Sequence, residues 1–218
     1  MRVGQVRVAP VLFGIGLMAA APPLMSASEP ARPVESTRTL HVLLTVAPEL
    51  PAVSRSGLVT EASELWGQAG VELIWSNGSD GSVPRARMLR VLVISRRAGA
   101  QESSENVVLG ELLGFGRPGA LAVASILRAQ ELVTAWQGPS IGPRSIHDGQ
   151  LGLVLGRVVA HEIGHYLLGT ATHSRTGLMR ARFETPDLID RRSAAFDVDA
   201  ATAAQLRHHP DETLLSQR

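Results

Sequence analysis

The segment that most constrains this chain is residues 149–168, GQLGLVLGRVVAHEIGHYLL. Leu151, Val154, Leu155, Val158 and Val159 make it apolar around much of a helical circumference, which predicts a buried helix. Gly156, Ala160 and Gly164 recur every four residues, a stripe that would let another backbone approach closely. Arg157, His161, Glu162 and His165 interrupt this apolar surface. Two imidazoles and a carboxylate inside such a helix are costly unless each finds a partner.

Residues four apart on a helix share a face, so His161 and His165 can aim two imidazoles at one metal ion. The chain has no cysteine, so a metal here must use His, Asp or Glu. Imidazole suits zinc, and a catalytic zinc takes three protein ligands and keeps one position open. Glu162 is turned about 100° around the helix from His161 and can reach a water on the ion without occupying the ion. Zinc lowers the pKa of bound water from about 15.7 to roughly 7. Glu162 would take its proton as the water attacks a carbonyl, then pass it to the leaving amine.

The third ligand must come from beyond the helix. Gly169 can take a positive φ and turn the chain, which would bring His173 back toward the pair. Glu184, 19 residues after His165, is the rival. Its spacing is similar to that of the thermolysin-like class, whose third ligand is a glutamate presented from a helix. Pro186 biases Thr185 away from helix, which disfavours that presentation. His41, His147, His208 and His209 read as ordinary, and Trp66 and Trp75 as core.

From His161 to Met179 the sequence runs HEIGHYLLGTATHSRTGLM. It resembles the metzincin zinc endopeptidases, which carry HExxHxxGxxH and then a Met-turn. Within them it is most similar to the matrixin branch, on HEIGH, on His173-Ser174 and on Leu178-Met179. The resemblance implies one zinc ion held by His161, His165 and His173, Glu162 as general base, and Met179 as an apolar floor under the metal. It also implies a zincin domain: a twisted, mostly parallel sheet of four to five strands, a backing helix, the active-site helix, a Met-turn and a C-terminal helix. The loop differs from the family's. Gly169 follows the second histidine by one residue more, and Thr170, Ala171 and Thr172 stand where the family has two residues. Matrixin latency through a propeptide cysteine has no thiolate to use here.

The rest of the chain fits a mixed α/β domain over residues 39–218. Leu40 to Val46, Val71 to Trp75 and Met88 to Ser95 read as strands, the third of them central. Ser56 to Ala69 has helical apolar spacing and ends at Gly70. Residues 96–117 carry no clear pattern. Ala120 to Leu127 reads as a fourth strand or a helix start, and 138–149 as a loop. Asp197 is a plausible N-cap for a last helix reaching His208. On the metzincin resemblance, Ala122, Val123 and Ala124 lie on the strand bordering the substrate cleft. Arg180 to Phe183 then wall the pocket for the side chain after the scissile bond, with Phe183 as its apolar face.

The N-terminus reads as an export signal over residues 1–27. Arg2 and Arg7 precede an apolar run from Val8 to Ala21, and small residues at Ser26, Ala27 and Ser28 offer a cleavage site. Pro22 and Pro23 stop the run short of the ~20 residues of a spanning helix. Residues 28–38 read as a linker. The expected product is periplasmic or extracellular, with no stable membrane association. Its charge would be near −1, because the signal removes two arginines from a chain of net charge +1. All 21 basic residues are arginine, scattered rather than gathered into a stripe, which argues against nucleic acid. The expected partner is a peptide or protein substrate. The competing functions are a non-catalytic zinc scaffold and a small-peptide metallohydrolase using Glu184. A structural zinc needs no base, so Glu162 argues against the scaffold.

Overall fold

A computed structural model describes residues 38–77, 88–95, 108–114, 119–138 and 144–208. The export signal and nearly all of the linker lie outside the described residues. So do His209, Pro210 and the residues after them. No helix among the described residues is long and apolar enough to cross a membrane.

Among the described residues the sheet has five strands: β1 (Arg38–Val46), β2 (Val71–Ser76), β3 (Met88–Ile94), β4 (Gly110–Leu113) and β5 (Leu121–Ser125). Their order is β2-β1-β3-β5-β4, with β3 at the centre. Four strands run parallel, and β4 pairs antiparallel with β5 at one edge. Parallel neighbours need a crossover, and α1 (Ala52–Gly67) supplies it between β1 and β2. Leu40, Val42 and Leu44 alternate into the core from β1, as period-2 packing requires.

α1 starts four residues before the expected Ser56, directly after Pro51. It ends at Gly67, two residues before the expected Ala69, and Gly70, with φ +75°, turns the chain into β2. β5 and α2 (Ile126–Gln137) share the segment read as strand or helix start. The Ser125 hydroxyl accepts from the Arg128 amide and caps α2 at that junction. Residues 96–117 hold β4, a strand too short and too glycine-flanked to show a period.

The long helix α3 begins at Arg144, not Gly149, and runs to Leu168. The second half of the expected loop 138–149 is therefore helical. α3 packs on α1 through its small residues, as the four-residue stripe predicts. A Cβ on Gly152 would stand 2.7 Å from the Ser54 carbonyl oxygen, and one on Gly156 would stand 2.6 Å from the Glu61 Cβ. The buried Trp66 of α1 donates its indole N–H to the Ala160 carbonyl at 3.0 Å. α4 (Thr185–Ile189) and a 3-10 turn (Ala194–Phe196) follow. The last helix, α5, spans Ala200–His208. Asp199 caps it rather than Asp197, accepting from the Thr202 amide at 2.7 Å.

Candidate metal centre

α3 carries His161, Glu162 and His165 at the end nearest Gly169. Gly169 takes φ +58°, the left-handed turn expected of it, and ends the helix. The chain then returns with His173. Ser174 pairs with Arg180, and its amide donates to the Met179 carbonyl at 2.8 Å. Gly177 (φ +69°) makes the tight turn between them, and the Leu178 amide donates to the Asp197 carbonyl. Met179 is buried, and its sulfur packs where a side chain on Gly164 would be. The small stripe thus serves two neighbours, α1 over most of its length and Met179 beside His165.

The nitrogens of His161, His165 and His173 lie within 4.8 Å of one another. His161 Nδ1 is 2.7 Å from the Leu178 carbonyl, and His165 Nδ1 is 2.8 Å from that of Thr170. A carbonyl only accepts, so each Nδ1 carries the proton and each Nε2 keeps its lone pair. Yet the two Nε2 atoms are 3.0 Å apart. Burial, the largest cause, lowers the His161 pKa to about 4 against the pull of the Leu178 carbonyl, and it lowers His165 too. Both rings are then neutral at pH 7, and no proton lies between the facing lone pairs. That arrangement is built for a cation. Ligand nitrogens around tetrahedral zinc are about 3.3 Å apart, from Zn–N bonds of about 2.0–2.1 Å. The trio brackets that spacing, so these residues fit a zinc ion. The carbonyls of Leu178 and Thr170 fix the ring orientations from behind.

Glu162 is buried beside the trio. Burial pushes its pKa up to about 8, and the charge of Glu111 adds to the shift. The open cleft in front of these groups has a volume of about 900 Å³. Part of its lining is apolar, from Leu132, Val158, Phe183, Leu188 and Phe196. Phe183 is one of these lining residues. Its ring stacks on Phe196 at 4.3 Å and meets His161 edge-on at 6.0 Å.

One expectation needs correction, and the rival third ligand falls away. Ala122, Val123 and Ala124 do not line the cleft: β5 is paired on both sides and all three are buried. The strand bordering the cleft is β4, which contributes Gly110, Glu111 and Leu112. Glu184 does not join the histidines. It lines the cleft wall in extended conformation, just before α4, and the metal-capable group among the described residues is the histidine trio. Thr185 is helical despite Pro186, because Pro186 sits in the first turn, where a missing N–H leaves nothing unbonded.

Arg157 also finds its explanation. It is buried, and its Nε donates to Glu61 of α1 at 2.8 Å. Its Nη1 donates to the carbonyls of Asp187 and of Asp190, the latter at 2.9 Å. The guanidinium lies 4.5 Å over the Phe196 ring. Arg157 therefore ties α1, α4 and the apolar lining of the cleft to the active helix. The sequence marked it only as an interruption, since Glu61 lies 96 residues away.

No protein-family model matches this chain, and no curated protein matches it. Among solved structures, the crystal structure of archaemetzincin from Methanopyrus kandleri is similar to it. The two are 17% identical, over 81% of this chain and 97% of the other, with a TM-score of 0.45. A likeness this distant leaves the reaction to be read from the site's own residues.

Proposed function

We propose that this chain is an exported, metzincin-type zinc endopeptidase. The carrying observation is the pair of proton-free Nε2 atoms facing each other at 3.0 Å, with His173 beside them and Glu162 adjoining. Among the described residues no fourth ligand joins the trio, as a catalytic site requires and a structural site does not. When bound, zinc supplies Lewis-acid polarisation of a carbonyl and acidification of water.

The chain's own residues would do the rest. With a cation bound at the trio, its charge would draw the raised Glu162 pKa back down, so that Glu162, next to the first ligand, could take a proton from the attacking water and deliver it to the departing amine. Among the described residues β4 ends the sheet, so its outer edge can pair with an extended peptide and hold the scissile bond over the trio. The side chain after that bond enters the cleft against the apolar lining at Phe183. Arg157 and Glu61 hold that lining in place from below. Met179 supports the helix between its two histidines. The finer likeness to matrixins rests on the HEIGH, His-Ser and Leu-Met spellings, and export rests on the basic and apolar character of residues 1–27.

The test is hydrolysis of casein or a peptide library, with and without a chelator, alongside zinc content. Glu162→Gln should keep one zinc per chain and lose hydrolysis. His173→Ala should lose zinc, whereas Glu184→Ala should keep it. Zinc loss confined to Glu184→Ala would restore the thermolysin-like reading. Full zinc with no cleavage of any peptide would leave a scaffold. Export predicts an N-terminus near Ser28 in protein recovered outside the cytosol, and an intact Met1 retained inside would refute it.

A further inference from the structure

Glu162 is buried, yet among the described residues its carboxylate makes no hydrogen bond. Its oxygens still reach the cleft, no donor among the described residues fixes where they point, and the groups packed against them limit where they can lie. The packing partner lies on β4. A Cβ built on Gly110 would stand 3.3 Å from Glu162 Oε1, 2.6 Å from Val158 Cγ1 and 3.0 Å from the Val123 carbonyl oxygen. Gly110 has no need of glycine for its backbone angles, since it is absent from the positive-φ glycines. What its missing side chain provides is space. β4 cannot drift away to make that space, because Gly110 is in register with Ala124 and the Ser125 amide donates to the Leu109 carbonyl at 2.9 Å.

We propose that Gly110 is a positioning residue for the reaction. Its missing side chain lets Val158 of α3 close against β4 and leaves the Glu162 carboxylate resting beside that contact. β4 then borders the substrate and sets the base on the same scaffold, which keeps their separation fixed. This rests on the reading of Glu162 as the base.

The test uses the full mature chain with Gly110→Ala, Val158→Ala and the pair together. Val158→Ala removes the hardest clash; the Val123 carbonyl at 3.0 Å remains, and the melting cycle with Glu162→Ala separates its effect from the contact with Glu162. Relative to Val158→Ala alone, the pair should keep its zinc and its KM, while kcat falls about tenfold. That is less than the roughly hundredfold loss a 1 Å misplacement can cause. A second readout needs no activity. In metal-free protein, Gly110→Ala should lower the melting temperature less when Glu162 is already Ala, because groups in contact are not additive. Equal kcat for the pair and Val158→Ala, or equal melting losses with and without Glu162, would overturn the proposal. A parent protein that cleaves no peptide would instead sink the functional reading, and the melting cycle would still report on the contact.

Discussion

Two glycines three residues apart on α3 should respond oppositely to the same methyl group. At Gly149 an added Cβ meets nothing within 4 Å. Gly149→Ala therefore keeps only the helix-propensity gain, about 0.4–1 kcal/mol, through a less disordered unfolded chain. At Gly152 the new Cβ would lie 2.7 Å from the Ser54 carbonyl oxygen, 3.0 Å from the Ser54 Cα and 3.2 Å from the Gly57 Cα. All three are backbone atoms of α1, so no side chain can swing aside. The helices must part by roughly half an ångström, and overpacking of this kind costs about 1–3 kcal/mol. Set against the propensity gain, Gly152→Ala should lose up to about 2 kcal/mol. The two variants should therefore differ by about 1–3 kcal/mol. For a domain of this size each kcal/mol shifts the melting temperature by about 2–4 °C. Calorimetry or circular dichroism should find Gly149→Ala melting above the parent and Gly152→Ala below it. Equal melting temperatures would refute the claim that α1 and α3 meet backbone to backbone at Gly152.

Further outcomes follow from the ionisable groups. Removing Arg157 leaves Glu61 buried without its partner, so Arg157→Ala should cost about 3–5 kcal/mol in denaturant unfolding. A loss under about 1 kcal/mol would show that the pair is solvated. In metal-free protein, Glu162 titrates near 8 in the fold and near 4.5 when unfolded. The unfolded chain therefore releases this proton first, and stability falls as pH rises between those values. His161, lowered from 6.5 to about 4, acts in the opposite sense, losing stability as pH falls from 6.5 toward 4. Only the Glu162 effect remains between pH 6.5 and 8, and there it amounts to about 2 kcal/mol at about 1.36 kcal/mol per unit. Thermal unfolding in chelator should show that decline in the parent and not in Glu162→Gln, and parallel profiles would refute it.

The site was legible in the sequence wherever its geometry is local. His161, Glu162 and His165 share one helix, and a 3.6-residue period places them whatever the rest of the chain does. Gly169 announced its turn through a conformation that glycine adopts most readily. The cleft was not legible in the same way. Ala122 to Ala124 have the composition of a strand, but composition does not say whether a strand is internal or at an edge. β4 decided that, and a four-residue strand that starts on one glycine and ends before another is too short to display a period. Glu184 had a plausible spacing, and only the path of the chain after Met179 excluded it. Arg157 looked anomalous until α1 brought Glu61 to it.

The amino-acid order by itself determined a buried helix bearing two imidazoles and a carboxylate, and a turn able to return a third imidazole. Covalent spacing and backbone preference suffice for that, because every group involved lies within a few turns of chain. Only the tertiary structure decided that the Leu178 and Thr170 carbonyls leave the His161 and His165 Nε2 atoms free of protons. It alone decided that β4 covers β5, and that Gly110 lies against Val158 and beside the Glu162 carboxylate. These are contacts between segments far apart in the chain, set by packing and hydrogen bonding that no local pattern encodes.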